Sequence, residues 1–116
     1  MAEGFLRSFA PDRFEVQSAG TRATRVHPRA IAAMRELGID ISGQKSKSVD
    51  EVGEGWDVVV TVCDTNCPVP PRSGLKLRWR LPDPSAARGT AAERTQVLRG
   101  VRDSIRSRVR LLADRL

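Results

Sequence analysis

Apolar side chains at Ala2, Phe5, Leu6 and Phe9 recur at i, i+3, i+4 and i+7, the spacing that gathers them on one face of a helix. The helix they predict stops before Pro11, whose ring and missing N–H cannot continue it. Met1 offers no side-chain oxygen to the first free N–H groups, so this helix starts uncapped. Phe14, Val16 and Ser18 then alternate with Glu15 and Gln17, which predicts a strand at about 14–18 ended by Gly20. Pro28 suits the first position of a second helix, with Ile31, Met34 and Leu37 as its apolar face and Gly38 as its stop. Ser48 and Glu51 form a capping box for a short helix ending near Gly53. The run from Trp56 to Cys63 is almost continuously apolar and β-branched, as in a central strand of a parallel sheet covered on both faces. Residues 64–74, with Pro68, Pro70, Pro71 and Gly74, form a loop before Leu75, Leu77 and Trp79 alternate into a further strand. Pro82 and Pro84 bracket Asp83 in another loop. A second capping box, Thr90 with Glu93, opens a long helix whose stripe is Leu98, Val101, Ile105, Val109, Leu112 and Leu116.

The predicted order α-β-α-α-β-β-α is that of an α/β fold, an open parallel sheet with helices on both faces, in a single domain spanning residues 1–116. No repeat, low-complexity tract or linker interrupts it. The order has a gap. In such folds a helix follows a strand, and ligands sit where a strand's carboxyl end meets a helix N-terminus. The first helix has no strand before it, so the missing piece falls at the expected anion site. Apolar faces and strand edges left open by that gap predict a poorly stable polypeptide.

Composition narrows the function. With 40% hydrophobic and 29% charged residues, and no run near the roughly 20 apolar residues of a membrane span, the chain reads as globular rather than membrane-embedded. The first ten residues include Glu3 and Arg7 and lack the apolar core of a secretory signal, which implies a cytoplasmic location. The net charge of +6 raises the question of nucleic acid. The cations are nevertheless scattered from Arg7 to Arg115, densest on the last helix, and Tyr is absent. That is a solvated Arg-rich surface, and no nucleic-acid partner is expected. Two cysteines are too few for a disulfide framework, and one histidine is too few for a zinc site.

Three positions hold reactive groups. Cys63 ends the apolar strand and Cys67 follows in the loop. Cys63 can be a small core hydrophobe and Cys67 incidental. Alternatively they are a redox pair, since a turn through Asp64–Thr65–Asn66 can bring their Cα atoms within the roughly 7 Å a disulfide needs. In a reducing compartment such a bond is transient and catalytic. Asp83, held between two prolines, is either a turn residue or a positioned general acid. His27, next to Pro28, reads as a residue at a helix start, and no Walker or dinucleotide phosphate loop occurs.

These segments together resemble the arsenate reductases that share the low-molecular-weight protein tyrosine phosphatase fold. The resemblance rests on Met1–Ala2–Glu3–Gly4–Phe5–Leu6–Arg7, Ser18–Ala19–Gly20–Thr21, Pro28–Arg29–Ala30–Ile31, Ile39–Asp40–Ile41–Ser42 and Ser46–Lys47–Ser48. It continues through Val60–Thr61–Val62–Cys63–Asp64 with Cys67–Pro68, Pro82–Asp83–Pro84 and Arg102–Asp103–Ser104–Ile105, and so covers nearly the whole chain. In that family a first strand ends in a loop Cys-x5-Arg-Ser just ahead of the Met-Ala-Glu-Gly segment. This sequence begins at that segment, so the resemblance implies a truncated form lacking the nucleophilic Cys and the oxyanion-binding Arg, and inactive by itself.

For an intact relative the resemblance implies a thiolate attacking arsenate, with Asp83 matching the general acid. Cys63 matches a second thiol that displaces arsenite. Cys67 matches a third that takes over the disulfide for thioredoxin, or another thiol reductant, to reduce. Partners are thus an arsenate or phosphate oxyanion and a thiol reductant, with no cofactor. Relatives coupled to thioredoxin often have more residues between the second and third Cys than the three found here. Glu3 and Ser18 match positions that bind potassium in some relatives, but Lys47 stands where those have an acidic ligand. Its ammonium takes the cation's place, and no metal is expected. A plain phosphatase of the same family is the alternative activity, and a non-catalytic fragment the alternative status.

Overall fold

The computed structural model describes residues 1–19, 28–44, 47–62, 69–81 and 87–116. Helix α1 (Ala2–Phe9) and helix α2 (Pro28–Arg35) precede a single 3-10 turn (Val49–Val52), strand β1 (Val58–Val62), strand β2 (Leu75–Trp79) and the long helix α3 (Ala91–Arg115). The helix signals in the sequence act where they stand. Thr90 Oγ1 accepts the Glu93 N–H at 3.1 Å, and the Ser48 N–H donates to Glu51 at 2.6 Å. Gly38 adopts φ 76° just beyond α2, a left-handed stop that a side chain would strain. Met1 gives α1 no side-chain cap.

The three helices pack on one another, α1 and α2 each against α3. Phe5, Met34 and Ile41 are fully buried where they meet, and Val101, Ile105 and Val109 of the predicted α3 stripe close the core. Leu112 packs against that core from its margin, while Leu116 is 47% exposed, so the stripe ends one turn early. Phe9 stacks on Phe5 with ring centroids 5.8 Å apart, and the Arg110 guanidinium lies 4.7 Å over the Phe9 ring. Two α3 cations grip the end of α2. Arg102, buried, donates to the Ala33 carbonyl at 2.9 Å and to Glu36 at 2.7 Å, and Arg99 forms a two-pronged pair with Glu36 at 2.6 and 3.0 Å. Cations at a helix C-terminus also complement its dipole.

β1 and β2 form a parallel pair in the register Val58↔Leu75 to Val62↔Trp79, so the expected parallel sheet in an α/β fold is present. Its amino ends are fastened by Gly74 N–H to Trp56 O and Leu75 N–H to Asp57 O, each at 2.8 Å. A Cβ on Gly74 would stand 2.5 Å from Asp57 O, which explains glycine there. The sheet reaches the helical core through Trp79 and Val60.

Two expectations differ. Residues 14–18 are described but join no ladder. Strand spacing is present, but no strand among the described residues pairs with it, and Val16 O instead accepts from Arg7 at 2.7 Å. β1, expected to be central and covered on both faces, has no buried residue, and among the described residues it pairs on one side only.

Two measurements probe this packing. A Cβ on Gly4 would lie 2.6 Å from Ile41 Cγ2, so Gly4→Ala is expected to lower stability by about 1–3 kcal/mol in urea unfolding, whereas an unchanged midpoint would contradict the close α1 packing. Hydrogen bonds from Arg99, then Arg102, hold the Glu36 carboxyl below the usual carboxylate range. A folded pKa below the unfolded one means stability that is full above the ordinary glutamate value and declines as pH falls through the lowered one. Glu36→Gln should therefore flatten the acid limb of a stability-versus-pH curve, and an unaltered limb would remove Glu36 from the account.

Candidate functional site

The predicted chemical residues Cys63, Cys67 and Asp83 lie outside the described residues, as does His27. The described frame shows where the chain departs toward them. Val62, the last residue of β1, pairs with Trp79, the last residue of β2. Cys63 is the next residue after the first, and Asp83 follows the second by four. Both segments thus leave from the carboxyl end of the same parallel pair, the end at which open α/β sheets bind ligands. Leu81, packed against the core, anchors the second departure.

A second group of residues surrounds the start of α1. A depression of about 620 Å³ is lined by Glu3, Arg7, Ser8, Gln17, Asp40 and Lys47, among others. Glu3 is its hub. One carboxylate oxygen accepts from Ser18 Oγ at 2.7 Å and the other from Arg7 Nε at 3.0 Å. Arg7 reaches on to Val16 O, and Lys47 Nζ donates to Gln17 Oε1. Hydrogen bonds from the Ser42 side chain and from its N–H, the latter at 2.9 Å, keep the Asp40 carboxyl below the usual carboxylate range.

The two carboxylates, Glu3 and Asp40, and the two cations, Arg7 and Lys47, balance in charge. The bonds of Glu3 and Arg7 brace residues 14–18 against α1. Among the described residues no three His, Cys, Asp or Glu side chains converge as metal ligands. The sequence pointed to Glu3, Ser18 and Lys47, and the first two do meet. It gave Arg7 no role, although the i, i+4 spacing with Glu3 is a readable signal. Gln17 carried no signal, because its partner is 30 residues away. No helix among the described residues is long and apolar enough to cross a membrane.

The whole chain, residues 1–116, matches the family described as low molecular weight phosphotyrosine protein phosphatase. An arsenate reductase of Halalkalibacterium halodurans is 41% identical over 118 residues, covering 98% of this chain and 85% of that protein. A glutaredoxin arsenate reductase of a Synechocystis species is 35% identical over 120 residues, covering all of this chain and 87% of that protein. A solved arsenate reductase in the phosphate binding state superposes with a TM-score of 0.84 at 35% identity, covering 98% of this chain and 86% of that one.

Because Glu3 accepts directly from Ser18 and also holds the Arg7 that donates to Val16 O, Glu3→Ala is expected to cost about 1–2 kcal/mol and to speed amide exchange across 14–18. Lys47→Met, removing only an exposed bond, should cost less than about 1 kcal/mol. Equal losses for the two variants would deny Glu3 its central place.

Proposed function

This chain belongs to the low molecular weight phosphotyrosine protein phosphatase family, among its arsenate reductases, and on that premise we propose that its residues serve the reduction of arsenate to arsenite by a cysteine relay. The observation that carries this reading is the position of Cys63, next after the carboxyl end of a parallel strand, with Cys67 four residues on. Phosphate ester hydrolysis has no use for two such thiols. The phosphate-bound neighbour supports an oxyanion of this class as substrate.

In the relay, a thiolate from a Cys-x5-Arg-Ser loop attacks arsenate while Asp83 protonates the departing oxygen, giving a sulfur–arsenic bond and water. Cys63 then attacks that sulfur. A disulfide forms, the sulfur–arsenic bond breaks, and its electron pair stays on arsenic, which leaves as arsenite. Cys67 attacks Cys63, freeing the first thiolate and leaving a Cys63–Cys67 disulfide for an external dithiol to reduce. Thioredoxin and a glutaredoxin-type donor both fit this last step, the second because one relative bears that name. The Lys47 ammonium supplies the positive charge beside Gln17, and no metal or cofactor takes part. The 116 residues act as one domain in the reducing cytoplasm, where these thiols stay available.

The Cys-x5-Arg-Ser motif does not occur in these 116 residues, so the 116-residue polypeptide by itself is expected to be inactive. The family description favours a second reading, phosphotyrosine phosphatase, which needs only the loop and Asp83.

One set of assays separates these readings. With thioredoxin, its reductase and NADPH, the 116-residue polypeptide should show no arsenate turnover. A fusion placing an apolar strand and Cys-x5-Arg-Ser ahead of Met1 should show it. In that fusion Cys63→Ser and Cys67→Ser should abolish arsenate turnover yet spare aryl phosphate hydrolysis, and Asp83→Asn should slow both by roughly 10²–10⁴-fold. Arsenate turnover surviving Cys63→Ser would sink the relay.

A further inference from the structure

β2 sorts its side chains by face. Trp79 is buried, Leu77 is half-buried and Leu81, just beyond the strand, packs against the core, whereas Lys76, Arg78 and Arg80 at the alternate positions are exposed. Residues two apart on a strand lie about 7 Å from one another, so the three cations form a row about 13 Å long on the face turned away from the core. Other exposed cations meet carboxylates: Arg7 meets Glu3, Arg72 meets Glu54 and Arg99 meets Glu36. Among the described residues the row has no such partner, and its neighbours in register are the uncharged Val59 beside Lys76 and Thr61 beside Arg78.

A single lysine is enough to keep an edge strand from recruiting another. Neighbouring charges of this row stand within the screening length of about 10 Å at 0.1 M salt, so they repel one another in the free protein. A multivalent anionic surface laid along the row relieves that repulsion, and one small oxyanion is too short to span it. The row also has a direction. Val62 and Trp79 make the last rung of the sheet, and the next residues in sequence are Cys63 and Arg80. The cations therefore lead to the end of the sheet from which the thiol segment leaves.

We propose that Lys76, Arg78 and Arg80 form a docking strip for an acidic protein dithiol, the reductant that regenerates the Cys63 and Cys67 thiols. The identity of this partner rests on the relay proposed above, whereas the strip itself rests on β2. Acidic residues at alternate positions of a strand, or on successive turns of a helix, repeat every 5–7 Å or about that, which matches the row. Charge pairing of this kind speeds encounter and fixes orientation more than it tightens a complex, as suits a donor that must leave after each reduction. Nucleic acid fits the face less well. Single-strand binders interleave cations with aromatic stacking platforms, and the aromatic residue of β2, Trp79, is buried on the opposite side.

The test uses the 116-residue chain and an acidic thioredoxin with both active-site cysteines replaced by serine, so that no covalent step occurs. NMR titration should give saturable shifts at amides 76–80, and the dissociation constant should rise at least about tenfold between about 0.02 and 0.2 M salt. Replacing all three cations together, Lys76→Gln, Arg78→Gln and Arg80→Gln, should weaken binding at least about tenfold at the lower salt and flatten the salt dependence. Arg78→Lys with Arg80→Lys keeps the charge and should bind within about threefold of the parent. If the Gln variant loses structure, the same tenfold loss or about that must follow when the thioredoxin's surface carboxylates are changed to amides and the chain is left unaltered. Equal binding by the Gln variant, shifts centred away from 76–80 or absence of saturation would overturn the strip. So would equal or tighter binding of a short oligothymidylate at the same salt, which would make the row a general polyanion surface. Failure of the relay shows in the Cys63→Ser fusion assay and failure of the strip shows here, so the two are read separately.

Discussion

The buried stripe of α3 is the constraint on which the other elements depend. Val101, Ile105 and Val109 present one continuous apolar ridge, and both shorter helices find their buried partners there. Neither α1 nor α2, at eight residues each, is long enough to persist alone in water. Their helicity is lent by tertiary contact, above all by Phe5 and Met34. Polar contacts then choose among the ways two helices can lie on such a ridge. Arg102 sets α2 by binding a carbonyl of its last turn, and Arg110 sets α1 through the face of Phe9.

The helical cluster and the strand pair play different parts. Trp79 and Val60 are the principal apolar links between them, so the sheet is held to the core mainly at one end of β2 and the middle of β1. At the carboxyl ends, where the thiol and acid segments begin, Trp79 is buried in the core while its partner Val62 is 40% exposed. Such placement is compatible with the oxyanion and dithiol proposed as partners, since access and burial oppose one another. The Glu3 network does the opposite job, spending every charge on neighbouring groups and fixing the backbone around α1.

Local signals made much of the fold legible. Both capping boxes, Pro28 at a helix start and Gly38 at a helix stop act through groups within a few residues, so the sequence pattern alone contains them. A parallel sheet with strands near 58–62 and 75–79 was legible, the first from β-branched content and the second from alternation. Strand 14–18 was not, because a strand exists only by virtue of a neighbour and spacing cannot report whether one is present. The exposure of β1 was missed for the same reason. Of the candidate site, covalent order shows that Cys63 and Asp83 leave from paired strand ends, which the sequence could not show before the register was known. Long-range partners such as Lys47 with Gln17 left no trace in either local pattern.

The close approach of Gly74 to Asp57 has a consequence for the loop that starts at Cys63. With the amino ends of both strands pinned there, the sheet cannot slide to accommodate a change farther along. For the relay proposed above, the exchange of thiol for disulfide would thus fall between two points that the sheet already holds, Val62 and Gly74.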